Sequence, residues 1–227
     1  MDKKCTLCLL QEKEVAPWLK TLERPDLEIK ITPSYGTLEI TFRGLDSDLI
    51  NQVQKKFPTF FIGEGTIEEA VHRELILRKK TLSLAESCTG GALAACLTKI
   101  PDASLYFNGS IVAYSNAWKE RFLGVRRDTL SKIGAVSLEV VEEMIQGLFD
   151  ETETDFAVAV SGILGPKGAT AEKPVGTVYI GVGKRGEKTD IGKILAPSDR
   201  LSGTEFTVKT ALGALWRRVV HNAWTFS

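Results

Sequence analysis

The chain has 227 residues, enough for one large domain or for one ordinary domain and a small one. Its 43% hydrophobic and 26% charged content is that of a soluble globular protein, and its formal net charge is zero. That balance excludes a global basic field of the kind that draws nucleic acid or an anionic membrane surface.

No apolar run reaches the roughly 18 residues needed to span a bilayer, and Met1-Asp2-Lys3-Lys4-Cys5 opens no adequate signal-peptide core. The expected location is cytoplasmic, with no membrane and no nucleic-acid partner. The densest basic cluster, Arg78-Lys79-Lys80, ends a predicted helix, where the helix dipole favours cations.

Residues 1–63 read as a small unit. Cys5–Leu10 is a predicted strand and Glu12–Leu22 a helix whose start Pro17 delays or distorts. Leu27–Thr32 and Thr37–Arg43 alternate like strands around a turn at Pro33-Ser34-Tyr35-Gly36. Asp46–Phe57 is an amphipathic helix with Leu49, Ile50, Val53 and Phe57 on one face, and Thr59–Ile62 is a last strand. The order βαββαβ describes a ferredoxin-like α+β unit of marginal size, which needs something to dock on. Cys5-x-x-Cys8 has a redox or metal spacing, but i and i+3 on a strand face opposite sides and no second cysteine pair accompanies them.

Gly63-Glu64-Gly65 marks the boundary, giving units 1–63 and 64–227. Thr66-Ile67-Glu68-Glu69 starts the next helix with a capping box. Thr81–Leu84 is a buried strand and Ala92–Ile100 a helix. Residues 110–114 form a strand, Asn116–Leu123 a helix, and Ser137 caps a helix running to about Phe149. Phe156–Val160 is a buried strand; Val175–Val182 and Thr189–Leu195 pair as a hairpin; a last helix runs from about Ser202 to His221. The fold class is α/β: a three-layer α/β/α domain with a mixed sheet, after the small α+β unit.

Between the strand at 81–84 and the helix at 92–100 lies Ala85-Glu86-Ser87-Cys88-Thr89-Gly90-Gly91. A strand-to-helix junction gathers unpaired N–H groups and the positive helix end, so it can hold an anion or display a hydroxyl nucleophile. Ser87 is the candidate nucleophile, and Thr89, Gly90 and Gly91 are candidate ligand contacts. The two histidines, His72 and His221, lie in no motif, which argues against a Ser-His-Asp triad; a lysine can act as base where burial or a neighbouring cation lowers its pKa. Cys88 and Cys96 read as small core residues. The spacing of Tyr114 and Lys119 resembles a dehydrogenase pair, but five positions on one helix separate their faces, and no dinucleotide fingerprint is present.

The ordered motifs Ala85–Gly91, Tyr114-Ser115-Asn116-Ala117-Trp118-Lys119, Gly134-Ala135-Val136-Ser137, Ser161-Gly162-Ile163-Leu164-Gly165-Pro166, Glu172–Tyr179 and Asp199-Arg200 resemble the C-terminal domain of the CinA family. The resemblance covers roughly residues 66–220. It implies an amidohydrolase that converts nicotinamide mononucleotide to nicotinate mononucleotide and ammonia, with Ser87, Tyr114 and Lys119 catalytic. It implies substrate contacts at Ser161, Gly165, Gly168 and Arg200 beside those near Ser87, a small nucleotide as substrate, and no metal or organic cofactor. A homodimer is typical of the family. Residues 1–63 resemble the KH-like linker of longer members, though the Gly-x-x-Gly clamp of KH domains is absent. The molybdopterin-binding-like domain of those members, with any pyrophosphatase activity, is expected to be missing. Leu164, Lys167 and Ala169 depart from the family's usual residues, and Thr204 stands where a second arginine is frequent. The alternative is a non-catalytic nucleotide sensor or scaffold of the competence/damage-inducible type.

Overall fold

A computed structural model describes residues 2–44 and 48–226. In its first part, β1 (Lys3–Cys8), α1 (Glu12–Lys20), β2 (Glu28–Ser34), β3 (Thr37–Arg43), α2 (Leu49–Lys56) and β4 (Phe61–Gly63) follow in order. The strands form an antiparallel sheet in the order β2-β3-β1-β4, the ferredoxin-like arrangement. Cys5, Leu7, Val15, Leu19, Ile40, Phe42, Leu49 and Val53 make its core. Cys8 and Ile62 instead join the core of the second part. Cys5 and Cys8 therefore lie on opposite faces of β1, as strand geometry requires.

Two prolines behave differently from the sequence expectation. Pro17 lies inside α1, which starts at Glu12 without delay. The carbonyl it leaves unpaired belongs to Lys13, on an exposed stretch where water can serve it. Pro33 continues β2 to Ser34, opposite Leu38, because β2 is an edge strand that tolerates a missing N–H. The turn shrinks to Tyr35-Gly36, where Gly36 takes φ +70°. The predicted start of the second helix at Asp46 lies outside the described residues.

The second part contains α3 (Ile67–Leu77), β5 (Leu82–Glu86), α4 (Ala92–Thr98), β6 (Phe107–Val112), α5 (Asn116–Leu123), α6 (Arg127–Lys132), α7 (Leu138–Glu151), β7 (Phe156–Gly162), β8 (Thr177–Lys184), β9 (Asp190–Leu195) and α8 (Arg200–His221). Its sheet runs β6-β5-β7-β8-β9; β5 is parallel to both neighbours, and β7, β8 and β9 are antiparallel. Residues from α3, α4 and α8 pack on one face around Leu84, Val158 and Ile180. Residues from α5, α6 and α7 pack on the other around Ala85, Ala157 and Ala159. The result is three α/β/α layers about a mixed sheet.

Local chemistry sets these elements. Thr66 and Glu69 cap α3 reciprocally, and Ser137 accepts the Val140 N–H to start α7. Gly147 lets α7 cross α5 closely, since a Cβ there would run into the Leu123 carbonyl. The short helix α6 has no counterpart in the sequence reading. Tyr114 falls beyond β6, between strand and helix, and not within a strand.

Candidate active site

The parallel strands β5 and β7 end side by side, and the Ser87 N–H donates to the Val160 carbonyl at 3.1 Å. This fixes Ser87 at the carboxyl edge of the sheet, where open α/β folds place ligands. Glu86, the last residue of β5, is wholly buried. Its carboxylate accepts from the Thr89 hydroxyl (2.8 Å), the N–H groups of Gly91 (3.0 Å), Leu93 (3.0 Å) and Ala94 (2.9 Å), and the Ser110 hydroxyl (3.1 Å).

These bonds engage groups of Thr89, Gly90 and Gly91 within the protein. The anion at the start of α4 is the protein's own Glu86. The Thr89 hydroxyl and Gly91 N–H are held by it, and the Gly90 N–H donates to the Ser87 carbonyl at 3.1 Å. None of the three lines the cavity beside Ser87. Their role is to shape the turn that carries the serine. The signal in the sequence was an acidic residue just ahead of a glycine-started helix, a position its dipole favours.

Lys119 approaches from α5. Ser115 caps that helix by accepting the Trp118 N–H, which turns Lys119 and Leu123, one turn apart, inward. Lys119 is only 1% exposed. Its Nζ donates to the Ala113 carbonyl at 2.8 Å and to Ser87 Oγ at 2.9 Å. Burial pulls its pKa down to about 8, against a small opposing pull from Cys88. At pH 7 about a tenth of such lysines are neutral, against well under a thousandth at the ordinary value. A neutral amine 2.9 Å from a serine hydroxyl can take its proton. Burial pushes the adjoining Cys88 thiol up to about 12, so it does not compete as a nucleophile.

A cavity of about 210 Å³ opens over this pair. Ser87, Tyr114, Lys119, Ser161, Gly165, Gly168 and Arg200 all line it, so the chain brings together seven of the ten residues singled out in the sequence. Tyr114 is 62% exposed and is not among the Lys119 Nζ partners. The Ser161 hydroxyl donates to the Ala135 carbonyl at 2.8 Å. Arg200 begins α8 and donates to the Gly165 carbonyl. Its unfavourable place at a helix start thus has an internal partner and does not by itself call for a bound anion. Lys167, Ala135 and Val136 also line the cavity. Ala135 and Val136 lay in a sequence motif without a role, and Lys167 stood out only as a departure from the family's usual residue. Among the described residues, no cluster of histidine, cysteine and carboxylate side chains could hold a metal ion.

Comparison with known proteins agrees with this architecture. The model of the CinA C-terminal domain matches residues 64–219. A CinA-like protein of Endomicrobium trichonymphae is 45% identical over 206 residues, covering 86% of this chain and 48% of that protein. One from Leptospira borgpetersenii is 38% identical over 190 residues, covering 83% and 46%. The chain spans about half the length of these relatives. A crystal structure of a competence-damaged protein (CinA) superfamily member from Klebsiella pneumoniae superposes with a TM-score of 0.65 at 34% identity, covering 68% of this chain and 96% of that one. The shared family model, the relatives and the common fold have one meaning: this chain belongs to the CinA family.

Proposed function

We propose that the protein is an amidohydrolase that deamidates nicotinamide mononucleotide to nicotinate mononucleotide and ammonia. The observation that carries this reading is the buried Lys119 amine donating to Ser87 Oγ at 2.9 Å. Neutral Lys119 takes the hydroxyl proton as Ser87 Oγ bonds to the carboxamide carbon. The tetrahedral adduct then breaks its C–N bond, and the proton on Lys119 goes to the departing nitrogen as ammonia. Water attacks the acyl ester, gives a proton to Lys119, and the released serine recovers it. Tyr114 lines the cavity, and its role in this reading is to meet the substrate and assist proton transfer. Arg200 offers a planar fork suited to the phosphate. The four free cysteines suit a reducing cytoplasm.

The test is ammonia release from the mononucleotide by the purified chain and by Ser87→Ala. Release by the wild type, reduced on the order of a thousandfold in the variant, is expected. A folded variant that releases ammonia normally would remove Ser87 from the chemistry. An inert wild type that still binds the nucleotide would favour a sensor.

A further inference from the structure

A second cavity is larger than the one over Ser87. A cleft of about 930 Å³ lies where the first sheet meets α8 and the chain's last residues. It shares no lining residue with the Ser87 cavity. Its size is that of a small-molecule site, and its walls are mainly apolar. Leu9 and Phe60 come from the first part, and Ile194, Phe206 and Phe226 from the second; all are half-buried.

One cation stands in this wall. Arg217, on the penultimate turn of α8, lies over the Phe60 ring with 4.5 Å between guanidinium carbon and ring centre. Its Nη1 reaches Thr225 Oγ1 at 3.5 Å, the limit of a hydrogen bond, and its Nε is buried with no partner. Burial pulls its pKa down, opposed by Cys8 and then Asp190. The Asp190 carboxylate is itself engaged by the N–H groups of Thr225 and Phe226. The carboxylates that line the cleft, Glu12 and Glu14, are exposed on the first turn of α1, and Glu14 accepts the Gln11 N–H at 2.7 Å. A guanidinium remains charged at any working pH, and holding it among apolar side chains without a close counter-charge is costly.

We propose that this cleft binds a small amphipathic anion, with an aromatic body against the phenylalanine walls and a single carboxylate or sulfonate on Arg217. Aromatic rings can stack on Phe60, Phe206 or Phe226, and the acid group supplies the counter-charge that Arg217 lacks. The site is separate from Ser87 and does not depend on the reaction assigned there.

The probe is anilinonaphthalene sulfonate, titrated by fluorescence into the full chain at neutral pH, with melting curves taken for every variant. One saturable site is expected. Arg217→Met should weaken it at least about tenfold while the uncharged phenylnaphthylamine keeps its affinity. Ser34→Trp, an exposed position on the cleft wall, should block both probes without touching Arg217. Ser87→Ala should bind like the wild type. Absence of saturable binding, or binding that Ser34→Trp leaves unchanged, overturns the site. Equal loss of the charged and uncharged probes in a folded Arg217→Met variant overturns the role given to its charge.

Discussion

Two buried charges flank the serine, and they are treated in opposite ways. Glu86 is enclosed by five donors: two hydroxyls and three backbone N–H groups. Lys119 has one hydroxyl and one carbonyl, and burial outweighs every charge around it. A buried carboxylate met by five donors is architecture, because it holds a turn. An uncompensated buried charge is chemistry, because its proton is loosely held. The same few residues therefore build a rigid nucleophile mount and a labile base side by side.

The largest effect expected from disturbing this contrast is on the Lys119 side. Lys119→Arg keeps the charge and cannot give up its proton in the working range. Ammonia release should fall about a thousandfold in both Lys119→Arg and Lys119→Met. Substantial activity in the arginine variant would make Lys119 a charge for binding substrate and not a base.

The Glu86 side should show itself in stability. Glu86→Ala leaves three helix N–H groups and two hydroxyls without their acceptor in a buried site. A loss of about 3 kcal/mol or more in denaturant unfolding is expected. Glu86→Gln keeps the shape but lacks the charge and should lose less. A neutral outcome for Glu86→Ala would show that water can replace the carboxylate.

A smaller effect separates the two charges by pH. The folded pKa of Lys119, about 8, lies below its ordinary 10.5, so the folded state binds fewer protons between those values. The cost of burying the ammonium is fully present below pH 8 and fades as pH rises through 10.5. Lys119→Met removes a penalty of about 3 kcal/mol at most, offset by its two lost hydrogen bonds. The stability difference between Lys119→Met and wild type should therefore favour the variant most at pH 6–7 and shift toward wild type by pH 10. A difference independent of pH would contradict a lowered pKa.

The smallest effect concerns the first sheet. A chain beginning near Thr66 keeps Glu86, Ser87 and Lys119. It loses the packing of Cys8 and Ile62 and the Tyr35 hydroxyl bond to Ser202 at 2.9 Å, close to Arg200. Melting at a lower temperature, with ammonia release within about threefold of wild type, is expected. A folded but inactive truncation would make the first sheet part of the site.

How much of this was legible in the sequence follows from how local each cause is. The capping box at Thr66, the cap at Ser137 and the apolar run at Phe156 are local signals, and the structure places their elements accordingly. Pro17 and Pro33 misled because their tolerance depends on a solvent-facing carbonyl and an edge position, which only the assembled fold decides. The serine–lysine meeting followed from motif order. The fate of the helix-start N–H groups did not, because the sequence showed a ready anion site but not that Glu86 turns back into it. Arg217 and its cleft were illegible, since the lining comes from segments as distant as Leu9 and Phe226.

The most direct measurement is an NMR titration of the Lys119 side chain, assigned by comparison with Lys119→Arg. It needs no substrate and reads the base itself. A midpoint near 8 is expected, with Glu86→Gln displacing it little, because Glu86 is not among the groups that set it. A midpoint at the ordinary lysine value near 10.5 would contradict the assignment of Lys119 as the base that activates Ser87.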